Sequence, residues 1–430
     1  MRFMENALRG IMSENEKKIK ILTISDHPLS PSGVGTQTKY ILEHLLDTGR
    51  YSVVSFGGAV RHENYNPVKT EKYQDDWVIY PVDGYGDQNK IRSMILSFKP
   101  DMLWFMTDPR FYGFLWDIED EVRSKIPMVY YHVWDNFPDP TFNKLSYEST
   151  DVICTISKVT DQIVKNVSPS VERHYIPHIT DPNVFKKLPE ESVAAFKNNT
   201  PFKDKFMVFW NSRNARRKMS GSLIFWFKEF LDEVGHDKAC LLMHTDPKDG
   251  HGQDLEAIIS ELGLTNGEVM FSTKQTSPQE LNMFYNAADV TCGISDAEGF
   301  GLSTFESLAA GTPIVVNMTG GLQEQVTDGE RWFGEGIEPS SKAIIGSQQV
   351  PFIYEDRISK ESFINALTRM YQATPKEREA MGKAGQEHID KNYNFKKTLE
   401  RWDELLTDIH ERYGSWDNRK LYKKWELKEL

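Results

Sequence analysis

The sequence predicts an α/β fold built from two doubly wound parallel-sheet domains. Three observations point there. The chain has 430 residues, more than one ordinary domain holds. Two series of short apolar runs alternate with amphipathic stretches, the pattern of parallel strands joined by crossover helices. The two series also echo each other. TDVICTIS (150–157) and ADVTCGIS (288–295) share D-V-x-C-x-I-S, and each passes from a strand through a serine toward a helix. We read the echo as two similarly buried strands, not as a duplication.

Taken in order, residues 1–18 mix charges with scattered apolar positions and lack the apolar core of a signal peptide, so they read as an N-terminal extension on a cytoplasmic protein. The first domain is expected over 19–187, with strands IKILTIS, YSVVSF, DMLWFM, PMVYYH and DVICTIS, and helices near 38–46 and 89–98. Residues 188–204, polar and proline-containing, read as a linker. The second domain is expected over 205–394, with strands FMVFW, CLLMH, EVMF, DVTCGIS and PIVVN. The tail, 395–430, is expected to be helical to about Gly414 and to pack back toward the first domain.

Composition narrows the partners. Lys and Arg number 51 against 63 Asp and Glu, a net charge of −12, which disfavours an extended nucleic-acid footprint or a broad anionic-membrane surface. No apolar run approaches a membrane span. Cys154, Cys240 and Cys292 are scattered through apolar runs and read as buried thiols, not as a zinc site or disulfides. His174 and His178 are four apart, but Pro177 lies between them, so no metal site is expected there.

In SDAEGFGLSTFESLAAGTPIV (295–315), a glycine turn follows a strand and opens a helix over about 303–310, with Gly311 as its C′ residue and Pro313 beyond. Ser303-x-x-Glu306 fits a capping box, which by itself would make Glu306 a helix tie. Glu298, before the turn, has no such role. The amides near Phe300, Gly301 and Leu302 are candidate donors to a phosphate or a sugar hydroxyl. WNSRNARRKMSG puts four cations at a helix start, against the helix dipole, and a diphosphate would remove that conflict. Asp108, Arg110, Tyr112, Trp134 and Asp135 lie in aromatic loops after first-domain strands, where rings could stack on a sugar or a base.

The string S-x-x-E-G-F-G-L-x-x-x-E-x-L-A-A-G-T-P-I-V resembles the E-x7-E signature of glycosyltransferase family 4. NMTGGLQEQVTDGE, IPHITDPNVF and SPSGVGTQTKYIL resemble further segments of that family in the same order, with His178 where the family usually has asparagine. The resemblance covers about 19–392. Residues 331–350 look like an insertion. What the resemblance implies is a GT-B fold, two Rossmann-like domains facing a central cleft, and retaining transfer of a sugar from a nucleotide sugar to an acceptor hydroxyl. By position, Glu298 would contact the donor sugar and Glu306 the ribose. Arg213 and Lys218 would hold the diphosphate without a metal. His132 would lie near the anomeric centre, and Gly33 near the donor phosphate. No cofactor is expected beyond the donor itself, which is UDP-, GDP- or ADP-linked. The acceptor is expected to be a saccharide, with a modified nucleic-acid base as the alternative. A GT-B epimerase or phosphorylase, or a non-catalytic sugar-nucleotide-binding protein, are the rival functions.

Overall fold

A computed structural model of the chain describes residues 17–422. Most of the predicted extension (1–16) and the last eight residues of the tail lie outside the described residues. The first sheet has eight strands: β1 (Ile19–Asp26), β2 (Tyr51–Gly58), β3 (Val68–Lys69), β4 (Trp77–Pro81), β5 (Met102–Thr107), β6 (Met128–His132), β7 (Val152–Thr155) and β8 (Glu172–Tyr175), in the order β3-β4-β2-β1-β5-β6-β7-β8. β1 runs parallel to both β2 and β5, and the two-residue β3 lies antiparallel on β4. The second sheet holds β9 (Phe206–Asn211), β10 (Ala239–His244), β11 (Val269–Ser272), β12 (Val290–Gly293), β13 (Ile314–Asn317) and β14 (Gly334–Ile337). Their order is β11-β10-β9-β12-β13-β14, with every pair parallel. The central strands are buried along almost their whole length, which is why the sequence shows them as unbroken apolar runs.

The chain divides into two compact units that cross the sequence order. Among the described residues, one comprises those up to Tyr131, Glu148–Ile153 and those from Leu399 onward; the other comprises His132–Tyr147 and Cys154–Thr398. This differs from the expected limits of 19–187 and 205–394. The loop after β6 packs with the second unit, and the end of the chain completes the first. The supposed linker 188–204 contains a helix, Glu190–Asn198. The tail begins with the helix Phe395–Tyr413. Its Trp402 is 1% exposed and meets Trp104 and Tyr131 edge-on, with ring centroids 6.1 and 4.9 Å away. Asp403 pairs with Arg50 and accepts a 2.7 Å bond from the Tyr51 hydroxyl.

The supposed insertion at 331–350 is two things. Its first part is a sheet strand, β14, preceded by the fully buried Phe333. Its second part opens an antiparallel hairpin, β15 (Ser341–Ile345) with β16 (Ile353–Arg357). All three cysteines are buried free thiols, as expected.

Candidate functional site

The second unit gathers the polar side chains at the carboxyl ends of β9 and β12, where ligands bind in parallel α/β sheets. Asn211, Lys218, Ser295, Glu298, Gly301 and Ser303 line one small pocket there. The turn that carries Glu298 is shaped by close backbone approaches. Gly301 has φ +91°, and a Cβ on it would lie 2.5 Å from Leu322 Cδ2. A Cβ on Gly320 would lie 1.9 Å from the Glu298 carbonyl oxygen, and the Gly321 amide donates to that same oxygen at 3.0 Å. The glycine pair of the T-G-G turn therefore lets β13 press its loop onto Glu298.

Glu298 is nearly buried, with 16% of its side chain exposed. Its carboxylate pairs with Lys218, lies 3.6 Å from Arg217 Nη1 and accepts a 3.1 Å bond from the Ser295 hydroxyl. Burial alone would raise its pKa, but Lys218, Arg217 and Ser295 outweigh it and hold the carboxyl at about 2. Arg217 is laced into the same loop, donating to the Ala297 carbonyl at 2.5 Å, while its own carbonyl accepts from the Asp296 amide at 2.8 Å.

Glu306 is not a helix cap. The helix runs Leu302–Ala309 with Gly301 at its N-cap and no side-chain capping bond, so Ser303 lies inside the first turn and the expected capping box does not form. The Glu306 carboxylate instead accepts a 2.8 Å bond from the Tyr285 hydroxyl, which in turn accepts from Asn211 Nδ2 at 2.9 Å. Burial pushes the Glu306 carboxyl up to about 7, against the opposing bond from Tyr285. Gly311 does end the helix, with φ +79°.

The other sequence candidates are distributed unevenly. Arg213 does not join Lys218: its guanidinium holds Asp249 at 2.6 and 3.2 Å and meets His251. Arg216 forms a two-pronged bond to Glu355 of β16, at 2.8 and 2.5 Å. The hairpin also reaches the site through the Asp356 amide, which donates to the Asp296 carbonyl at 2.9 Å. The Phe300 ring is 3% exposed and packs on His178, Phe305 and Tyr393, so only its backbone is near the turn. Asp135 approaches the same turn, its Cβ lying 3.5 Å from the position a Cβ on Gly320 would take. His132 is fully buried, its Nε2 lies 2.7 Å from the Tyr147 hydroxyl, and burial lowers its pKa to about 3. Trp134 is 5% exposed and spends its indole N–H on the Asn136 carbonyl, so it offers no open face for stacking.

In the first unit, Gly33 opens the helix Gly33–Asp47, capped by Ser32, whose hydroxyl accepts from the Gly35 amide and donates to Asp26 at 2.7 Å. Asp108 caps a short turn and pairs with Arg110 at 3.1 Å. Tyr112 is another correction. It is fully buried and its hydroxyl donates to the carbonyls of Met106 and Ile24, a core role. The open ring in that loop is its neighbour Phe111, 49% exposed beneath the Arg110 guanidinium. Arg217, Ser295, Tyr285 and Asn211 were missed from the sequence. Arg217 lay in the basic run and Ser295 began the motif, but nothing local pointed to Tyr285 or Asn211. Among the described residues, no helix is long and apolar enough to cross a membrane.

The family model described as "Glycosyl transferases group 1" matches residues 248–388, which include Glu298 and Glu306. The D-inositol 3-phosphate glycosyltransferase of Corynebacterium urealyticum is 32% identical over 135 residues, 28% of this chain and 31% of that protein. The chain thus spans about a third of that relative's length. Sucrose-phosphate synthase from Thermosynechococcus elongatus superposes with a TM-score of 0.73 at 17% identity, covering 92% of this chain and all of that one. HepE from Anabaena, in complex with UDP-glucose, gives 0.67 at 15%, over 91% and 100%. At these identities the likeness establishes the fold, and that fold is GT-B.

Proposed function

We propose that this chain is a glycosyltransferase that moves a sugar from a nucleotide sugar to an acceptor hydroxyl with retention of configuration. The observation that carries it is Glu298, a nearly buried carboxylate held by Lys218 and Arg217 at the end of a parallel sheet. Glu298 itself lies inside the segment, 248–388, that the group 1 glycosyl transferase family model matches.

The residues divide the work by chemistry. Lys218 supplies positive charge to a diphosphate, and stabilises the charge that grows on the leaving nucleoside diphosphate as the glycosidic bond breaks. Glu306, oriented by Tyr285, accepts from ribose hydroxyls. Glu298 accepts from hydroxyls of the donor sugar. His132, buried against Tyr147, fixes the end of β6, from which Asp135 approaches the Glu298 turn. A glucose-carrying UDP is the first donor to test, because HepE, which has the same fold, is in complex with UDP-glucose. A saccharide acceptor is favoured over a nucleic-acid base by the net charge of −12.

The test is a thermal-stability screen of UDP-, GDP- and ADP-linked sugars, in which a donor at 100 times its dissociation constant adds about 2.7 kcal/mol. The donor so found is then incubated with saccharide acceptors, and the anomeric configuration of the product is read by NMR. Cations in place of a metal imply that turnover survives EDTA. A chain that binds the donor but releases no nucleotide with any acceptor would be a sugar-nucleotide-binding protein, and an inverted product would sink the retaining mechanism.

A further inference from the structure

Of the four cations between Arg213 and Lys218, two are committed away from the pocket, Arg213 to Asp249 and Arg216 to Glu355. The other two, Arg217 and Lys218, converge on the single carboxylate of Glu298. Resting on the nucleotide-sugar reading above, we propose that Arg217 joins Lys218 in binding the donor's diphosphate, and that Glu298 is the internal occupant of this anion site, displaced when the diphosphate enters and returning when it leaves.

The geometry argues for exchange. A diphosphate that takes Lys218 must take it from Glu298, because the Lys218 side chain is only 14% exposed and its ammonium already sits on that carboxylate. Arg217 cannot leave with Glu298, since it is tied to the Ala297 carbonyl and, through its own carbonyl, to the Asp296 amide. The carboxylate is then left with the Ser295 hydroxyl alone among the partners described. A nearly buried carboxylate short of partners is costly. Sugar hydroxyls of the donor restore those bonds. A nucleoside diphosphate without its sugar satisfies the cations and leaves Glu298 short.

The site therefore favours a sugar-bearing diphosphate over the bare one. After transfer, when the sugar has gone, Glu298 competes for Lys218 and Arg217 and drives the product out. The same residue that recognises the sugar thus speeds release of the spent nucleotide.

The experiment titrates UDP, GDP, ADP and inorganic pyrophosphate, with the matching glucose conjugates, into the full chain by calorimetry. In the wild type the conjugate should bind more tightly than its diphosphate. Glu298→Gln removes the competing charge, so the diphosphates and pyrophosphate should bind about tenfold more tightly, while the advantage of the conjugate disappears. Arg217→Ala should weaken diphosphate and conjugate alike by about tenfold. Glu298→Asp, with a shorter reach to Lys218, should move affinity in the same direction as Gln and decides the matter if the Gln variant does not fold. If the wild type binds a diphosphate but removing the Glu298 charge leaves that affinity unchanged or weaker, the exchange is overturned while the donor reading stands. If Arg217→Ala binds normally, its place in the diphosphate site is overturned. A wild type that binds none of these nucleotides overturns both readings.

Discussion

Glu298 and Glu306 are two carboxyls of one motif that their surroundings drive in opposite directions. Glu298, held at about 2 by two cations, contributes stability above the ordinary glutamate value, and loses it only as pH falls toward 2. Glu306, raised to about 7, behaves in reverse. The folded chain binds its proton more tightly than the unfolded one, so the stabilisation is complete below the ordinary value of 4.5 and is lost as pH rises through 7. If the charged carboxylate is the form that accepts from ribose, nucleoside diphosphate affinity rises from pH 6 to 8. Tyr285→Phe removes the bond that favours the charged form, so that rise should shift to higher pH. Glu306→Gln should flatten it. Ionisation of the ligand's own phosphate is common to all three proteins and cancels in the ratios. Parallel pH profiles for wild type and Tyr285→Phe would show that Tyr285 does not orient Glu306.

Elements follow from sequence when their own residues carry the signal. FMVFW and DVTCGIS were legible as strands because buried parallel strands are continuous apolar runs. The hairpin was not, because IYEDR is mostly polar and its partners, Arg216 and Asp296, lie far away in sequence. The S-x-x-E spacing was present, yet a cap depends on where the helix starts, and Gly301 at φ +91° starts it two residues too early for Ser303 to serve. The exposure of the loop rings was also illegible: Tyr112 and Phe111 are adjacent, one buried and one open. What the glycines do was partly legible, since a pair opening a helix signals close approach, but the atom approached was not. It is the Glu298 carbonyl. Gly320→Ala must push that backbone aside, and Gly320 also sits at φ +49°. We expect a cost of about 1–3 kcal/mol in stability. Turnover should fall further than the melting temperature alone predicts, because the displaced residue is the one assigned to the donor sugar. Equal kcat with a lowered melting point would confine Gly320 to a structural role.

At the scale of the molecule, the last segment of the chain finishes the first unit. Trp402 enters the core between Trp104 and Tyr131, Asp403 holds Arg50 and Tyr51, and Ser415 donates to Asp101 at 2.7 Å. Contacts between residues some 300 positions apart delay assembly, since the loop must close before they form. The first unit therefore waits for the end of the chain, whereas the Glu298 site is built wholly from residues of the second unit. Trp402→Ala should cost about 3–5 kcal/mol, the usual loss for an aromatic side chain removed from a core. The variant should unfold at lower denaturant and refold more slowly. Its affinity for a nucleoside diphosphate, measured in buffer where it is still folded, should match the wild type. Denaturant unfolding followed by fluorescence, beside calorimetry on the same protein, separates the two quantities. A Trp402→Ala protein that is as stable as the wild type would mean that the tail is peripheral to the first core. One that is folded but has lost nucleotide affinity would mean that the donor site depends on the first unit's integrity and is not complete within the second.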